Sequence, residues 1–107
     1  MINPPRIRDA YIEVAAAIFG VDQASIMQPT RGSPTESFAR FYVYHALRQH
    51  NWSFIRISEL MSRHHTSIIY GIEQFKNAYR NPKHPFHSTV QSAVLSGKIE
   101  RIADESL

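Results

Sequence analysis

In the stretch Phe54-Ile55-Arg56-Ile57-Ser58-Glu59-Leu60-Met61-Ser62-Arg63-His64-His65-Thr66-Ser67-Ile68-Ile69-Tyr70-Gly71-Ile72-Glu73-Gln74-Phe75, two helical periods meet across three polar residues. Phe54, Ile57, Leu60 and Met61 recur at three- and four-residue spacing and make one buried face of a short helix, with Ser53 as its N-cap. Ser62-Arg63-His64 is the turn. A second helix runs from about His65 to Tyr79, with Ile68, Ile72, Phe75 and Tyr79 facing the core, and Asn81-Pro82 ends it. Two short helices joined by about three residues have the spacing of a helix-turn-helix. The same period leaves His65, Thr66, Gly71 and Gln74 on the outer side, with the polar run Arg63 to Ser67 at the helix start.

Upstream, Ser33-Pro34-Thr35-Glu36 spells a capping box with proline at the first helical position, opening a helix from Pro34 to about Gln49. Phe38, Phe41, Tyr42, His45 and Leu47 give it a wide apolar side. Further back, Ile7, Tyr11, Val14, Ala15, Ile18 and Phe19 predict a helix from about Arg8 to Phe19, closed by Gly20, and Asp22 caps a short helix reaching about Met27. Downstream, Ser88 is the expected cap of a tail helix using Val90 and Val94, with Ile99 and Ile102 as further candidates beyond Gly97. No run alternates with period two. The expectation is an all-α fold, a compact bundle of five to six helices containing a helix-turn-helix. Residues 1–107 are expected to form a single domain, with a core at about 8–80 and a C-terminal helical extension at 81–107.

Composition bounds the function. At 107 residues and 43% apolar content the chain suits one folded core. It has no cysteine, which removes disulfides, thiolate metal sites and cysteine nucleophiles. The longest apolar stretch, Val14 to Phe19, is far short of a membrane span, and the start lacks the apolar run of a secretory signal, so a cytoplasmic protein is expected. From Arg31 to Lys83 there are eight Lys or Arg against Glu36, Glu59 and Glu73, a segment of net charge +5 in a chain of +3. A basic middle between mildly acidic ends points to a polyanion partner.

Arg63-His64-His65-Thr66-Ser67-Ile68-Ile69-Tyr70-Gly71-Ile72-Glu73-Gln74-Phe75 resembles the signature of the C-terminal DNA-binding domain of the DnaA replication initiator family. That signature runs basic residue, any residue, His, Thr or Ser, a small or β-branched residue, two aliphatics and a small residue two further on. Val14 to Met27 and Asn51 to Ser58 are similar to the family's first helices and to the segment that opens its helix-turn-helix. The resemblance covers about residues 8–80 and implies an all-helical domain that reads a DnaA box in double-stranded DNA. It implies His64, His65 and Thr66 as base readers, Ser67 and Arg40 as phosphate contacts, and Arg31 in a loop that enters the minor groove; Ser53 and Arg63 complete the expected DNA-binding set. His64 stands where most members carry Asp, which removes a carboxylate acceptor for cytosine.

None of the four glycines begins a G-x-x-x-x-G-K-[ST] loop, so a stand-alone regulator of replication or transcription without ATPase activity is expected, not an enzyme. Adjacent His64 and His65 on one helix would point about 100° apart, which argues against a shared metal ion. Ser67 has no acid orienter nearby in sequence, so no catalytic triad is expected. No cofactor is expected, and the domain reads as a monomer. The alternative is a protein-interaction module that binds a replication or transcription protein through Phe41, Tyr44 and Trp52, with the basic face incidental.

Overall fold

The chain folds through α1 (Pro4–Phe19), α2 (Gln23–Met27), α3 (Pro34–Arg48), α4 (Phe54–Met61), α5 (His65–Arg80) and α6 (His87–Leu95) in a computed structural model that describes residues 4–95. No strand occurs among those residues, so the all-α expectation holds.

The central element is α3. Its start is the capping box read from sequence: Ser33 Oγ accepts from the Glu36 N–H at 3.1 Å, and the Glu36 carboxylate accepts from the Ser33 N–H at 2.8 Å. From Ser37 to Leu47 only Phe41 is not fully buried. A helix buried on nearly all sides must be wrapped by others, and α1 and α5 form the largest interfaces with it. Ile12, Ala15 and Phe19 of α1, Ile26 of α2, Ile57 and Met61 of α4, Ile68, Ile72 and Phe75 of α5, and Val90 and Val94 of α6 complete one core.

Several boundaries differ from the sequence reading. The first helix begins at Pro4 rather than Arg8, because Pro4 and Pro5 occupy first-turn positions whose N–H groups have no intrahelical partner anyway. Asp22 is the N-cap of α2 by position, but its side chain makes no cap bond; its carbonyl accepts from the Ser25 N–H and hydroxyl instead. Ser88 is not a cap, since α6 already begins at His87. The preceding turn bonds His84 N–H to Asn81 and His87 N–H to His84, and Phe86 stacks on Phe38 at 4.5 Å between ring centres. That packing sets where the chain re-enters a helix. Phe54, Leu60 and Tyr79 are half-buried rather than core. Ile99 and Ile102 lie outside the described residues.

The α4–α5 pair has the expected lengths and a three-residue turn. Ser62 takes the left-handed conformation at φ 55°, ψ 44°, which reverses the chain after Met61. Gly71 corrects the outward reading of its position. It is buried against α3, where an added Cβ would lie 2.6 Å from Phe41 Cδ1 and 2.7 Å from Tyr44 Cδ2. The glycine serves helix–helix approach.

Candidate nucleic-acid interface

The N-terminal end of α5 is organised by His64. Its backbone is extended, and its imidazole Nδ1 accepts from the Thr66 N–H at 3.2 Å while lying 2.8 Å from Thr66 Oγ1. Acceptance from an N–H requires an unprotonated Nδ1, so the neutral ring carries its proton on Nε2. His64 therefore does the capping work an Asp would do, while its remaining nitrogen is a donor where a carboxylate offers only acceptors. Because His64 stands outside the helix, the 100° separation from His65 does not apply. The two rings stack, 4.5 Å apart at 27°.

The Ser67 and Ile68 N–H groups both go to the His64 carbonyl. With the Thr66 N–H on His64 Nδ1, most first-turn amides of α5 are already used, so the exposed Ser67 hydroxyl is the group left to hold a phosphate. Thr66 is exposed and His65 half-buried. Ser53 is exposed too, and its hydroxyl accepts from the Arg56 N–H at 3.1 Å as the cap of α4.

Arg40 departs from the expected phosphate contact. It is 3% exposed, and its guanidinium donates to the carbonyls of Ile26 (2.8 Å), Ser25 (3.0 Å) and Arg31 (3.2 Å). Arg63 is half-buried and donates to the carbonyls of Gln28 and Pro29. The two arginines thus tie the 28–33 loop to α3 and to the α4–α5 turn. The physical reason is local: α2 ends in a proline-containing loop whose carbonyls have no helical donors, and the two guanidinium forks supply them. Burial, and then the nearby Arg63 charge, push the Arg40 guanidinium below its ordinary value, with Glu36 opposing.

Pinning the loop sets Arg31 beside α5. Its carbonyl accepts from Ser37 and Arg40, and its exposed side chain lines a cavity of about 320 Å³ together with Thr66, Ser67 and Tyr70. Arg31, Arg63, Thr66 and Ser67 are therefore gathered at one corner. His64 and His65 edge that corner at the helix start, and Ser53 belongs to the cap of the neighbouring helix. Phe41, Tyr44 and Tyr70 bring aromatic rings to the corner as well. Tyr44, 2% exposed, lines the cavity, and Tyr70, 56% exposed, stands at its rim. Helical periodicity cannot separate such positions from ordinary core and rim aromatics. Tyr44 is also too buried to share an outer surface with Phe41 and Trp52, which corrects the interaction surface expected from sequence. No group of three or more His, Asp or Glu able to hold a metal occurs among the described residues, and no helix there is long and apolar enough to cross a membrane.

The chain matches no protein-family model, no curated protein and no solved structure.

Proposed function

We propose that the chain binds double-stranded DNA in a sequence-dependent way, with the start of α5 in the major groove and the Arg31 loop on the adjacent backbone or minor groove, in the regulation of replication or transcription. The observation that carries this reading is the joint placement of the exposed α5 start (His64, Thr66, Ser67) and the exposed Arg31 on a loop held in place by Arg40 and Arg63. A reader needs base-edge donors and acceptors on a rigid element and a cation at a fixed offset from them. The resemblance of residues 63–75 to the DnaA signature supports the same reading and makes a DnaA-box-like element the first target to test. One second observation favours protein binding: Tyr70 and Ile55 are 56% and 53% exposed, large for apolar groups on a small domain.

The test is duplex binding by fluorescence anisotropy across a salt series. With Arg40 buried, about three phosphates are neutralised, giving a log–log slope of about −3. Thr66→Ala should cost about 1–3 kcal/mol on the preferred site and little on random duplex. Arg31→Ala should weaken all sequences alike and flatten the slope by about one. His64→Asp keeps a cap but replaces the outward donor by acceptors, which should shift preference toward cytosine at the contacted position. Equal losses on specific and random duplex for Thr66→Ala, with folding intact, would remove α5 as the reading helix. Absence of duplex binding at about 50 mM salt would leave the protein-interaction reading.

A further inference from the structure

The cavity at the start of α5 has three properties that a passing duplex phosphate does not require. The first is charge. Arg31, Arg40 and Arg63 all line it, and the acid that acts on Arg40 is Glu36, whose oxygen is already held by the Ser33 N–H. The corner is thus in excess by about two positive charges, which suits the −1.5 to −2 of a phosphate monoester better than the single charge of a diester. A guanidinium has five N–H donors, and the carbonyls of Ile26, Ser25 and Arg31 take three of those of Arg40. Two remain on a side chain that lines the cavity.

The second is Tyr44. It is 2% exposed, lines the cavity, and its hydroxyl makes no hydrogen bond to a described residue. Burial pushes that hydroxyl above the ordinary tyrosine value, while Arg63 and Arg40, which line the same cavity, pull the other way. A cavity-bound oxyanion held by the arginines would give that hydroxyl an acceptor. The third is the rim. Tyr70 meets Phe41 edge-on, ring centres 6.1 Å apart at 84°, and is 56% exposed, so a ring face is available for stacking. A volume of about 320 Å³ is at the lower end for small-ligand sites, the size of a mononucleotide rather than a dinucleotide.

We propose that this cavity binds a nucleoside phosphate monoester, its phosphate on Arg40, Arg63, Arg31 and the Tyr44 hydroxyl and its base on Tyr70. The monoester has two sources, a free mononucleotide or the 5′-phosphorylated end of a DNA strand. The site does not depend on duplex recognition by α5.

The test is an NMR titration of the full chain with adenosine monophosphate, adenosine, inorganic phosphate and phenyl phosphate. Adenosine monophosphate should saturate with a Kd of about 1 mM or tighter, moving Ser67, Tyr70 and Arg31 resonances, and the other three probes should bind at least about tenfold more weakly. Tyr44→Phe keeps the packed ring, so melting should be unchanged while affinity falls about tenfold. Arg31→Ala, at an exposed position, should lower affinity similarly. Adenosine binding as tightly as its monophosphate, or Tyr44→Phe binding like wild type, would overturn the site. Phenyl phosphate or inorganic phosphate equal to adenosine monophosphate would overturn the nucleoside assignment; equality for phenyl phosphate alone would point to phosphate on a peptide aromatic. Duplexes with and without a 5′-phosphate separate the sources. About tenfold tighter binding of the phosphorylated end identifies the strand terminus, and equal binding identifies the free nucleotide. If unphosphorylated duplex fails to bind while adenosine monophosphate binds, duplex reading falls and this site stands.

Discussion

The two ends of α5 are held by different physics. From Ile72 to Ala78 the helix is fixed by apolar contact: Ile72, Phe75 and Ala78 are buried, and Phe75 stacks on His45 at 5.0 Å. From His65 to Tyr70 only Ile68 is buried, and order comes from hydrogen bonds instead. There the His64 cap, the αL turn at Ser62 and Arg63 on the carbonyls of Gln28 and Pro29 do what side-chain packing does elsewhere, with Arg40 holding the neighbouring loop from α3. Packing is non-directional and tolerates compensation. Charged hydrogen bonds do not, because removing one partner leaves the other buried and unsatisfied. The polar end is therefore the part of the fold where small chemical changes have sharp consequences, and it is also where the candidate site sits.

The contrast breaks most visibly at Arg40. Arg40→Ala removes the donor from three carbonyls and should destabilise by about 3–5 kcal/mol in urea unfolding, with Arg40→Lys recovering little because an ammonium lacks the planar fork. A loss under about 1 kcal/mol would mean that the loop is held by packing after all, and the two ends of α5 would not differ.

Gly71 tests the boundary between the two ends. Gly71→Ala brings a methyl within 2.6 Å of the Phe41 ring and 2.7 Å of the Tyr44 ring, so α5 must move off α3. The expected cost is about 1–3 kcal/mol, against the usual small gain from replacing a helical glycine. A gain in thermal stability would show that α5 and α3 separate without penalty.

The apolar end carries a titratable group, and pH sharpens the comparison there. Burial, and secondarily Lys76, lower the His45 pKa to about 3. Well above pH 6.5 neither folded nor unfolded His45 binds a proton, so it contributes nothing to pH dependence there. As pH falls from about 6.5 toward 3, the unfolded chain takes up a proton that the folded chain excludes, and stability falls by about 1.4 kcal/mol per pH unit. Subtracting the pH profile of His45→Met, measured by denaturant midpoints between about pH 7 and 5, isolates this contribution from the carboxylates. Parallel profiles would place His45 in contact with water.

The smallest effect lies at the start of α3. Ser33→Ala removes the acceptor of the Glu36 N–H and should cost about 1 kcal/mol by the same unfolding measurement, with duplex binding reduced only as far as the Arg31 loop loosens. An unchanged midpoint would make the cap redundant with the packing of α3.

The helices of this protein follow from its sequence because their signals are local. Ser33, Ser53, Gly20 and Asn81-Pro82 act on their own turns, and the spacing of Ile68, Ile72 and Phe75 states which side of α5 is inside. The exposed polar start of α5 was legible for the same reason. What no local signal could carry was decided by tertiary structure: that Gly71 faces α3, that Arg40 points inward to the carbonyls of Ser25, Ile26 and Arg31, and that Tyr44 lines one cavity with Arg40 and Arg63. An arginine at a given helical position reads the same in sequence whether its fork meets a phosphate or a loop carbonyl. The choice is made by where the 28–33 loop passes, and that path is set by contacts between residues far apart in the chain.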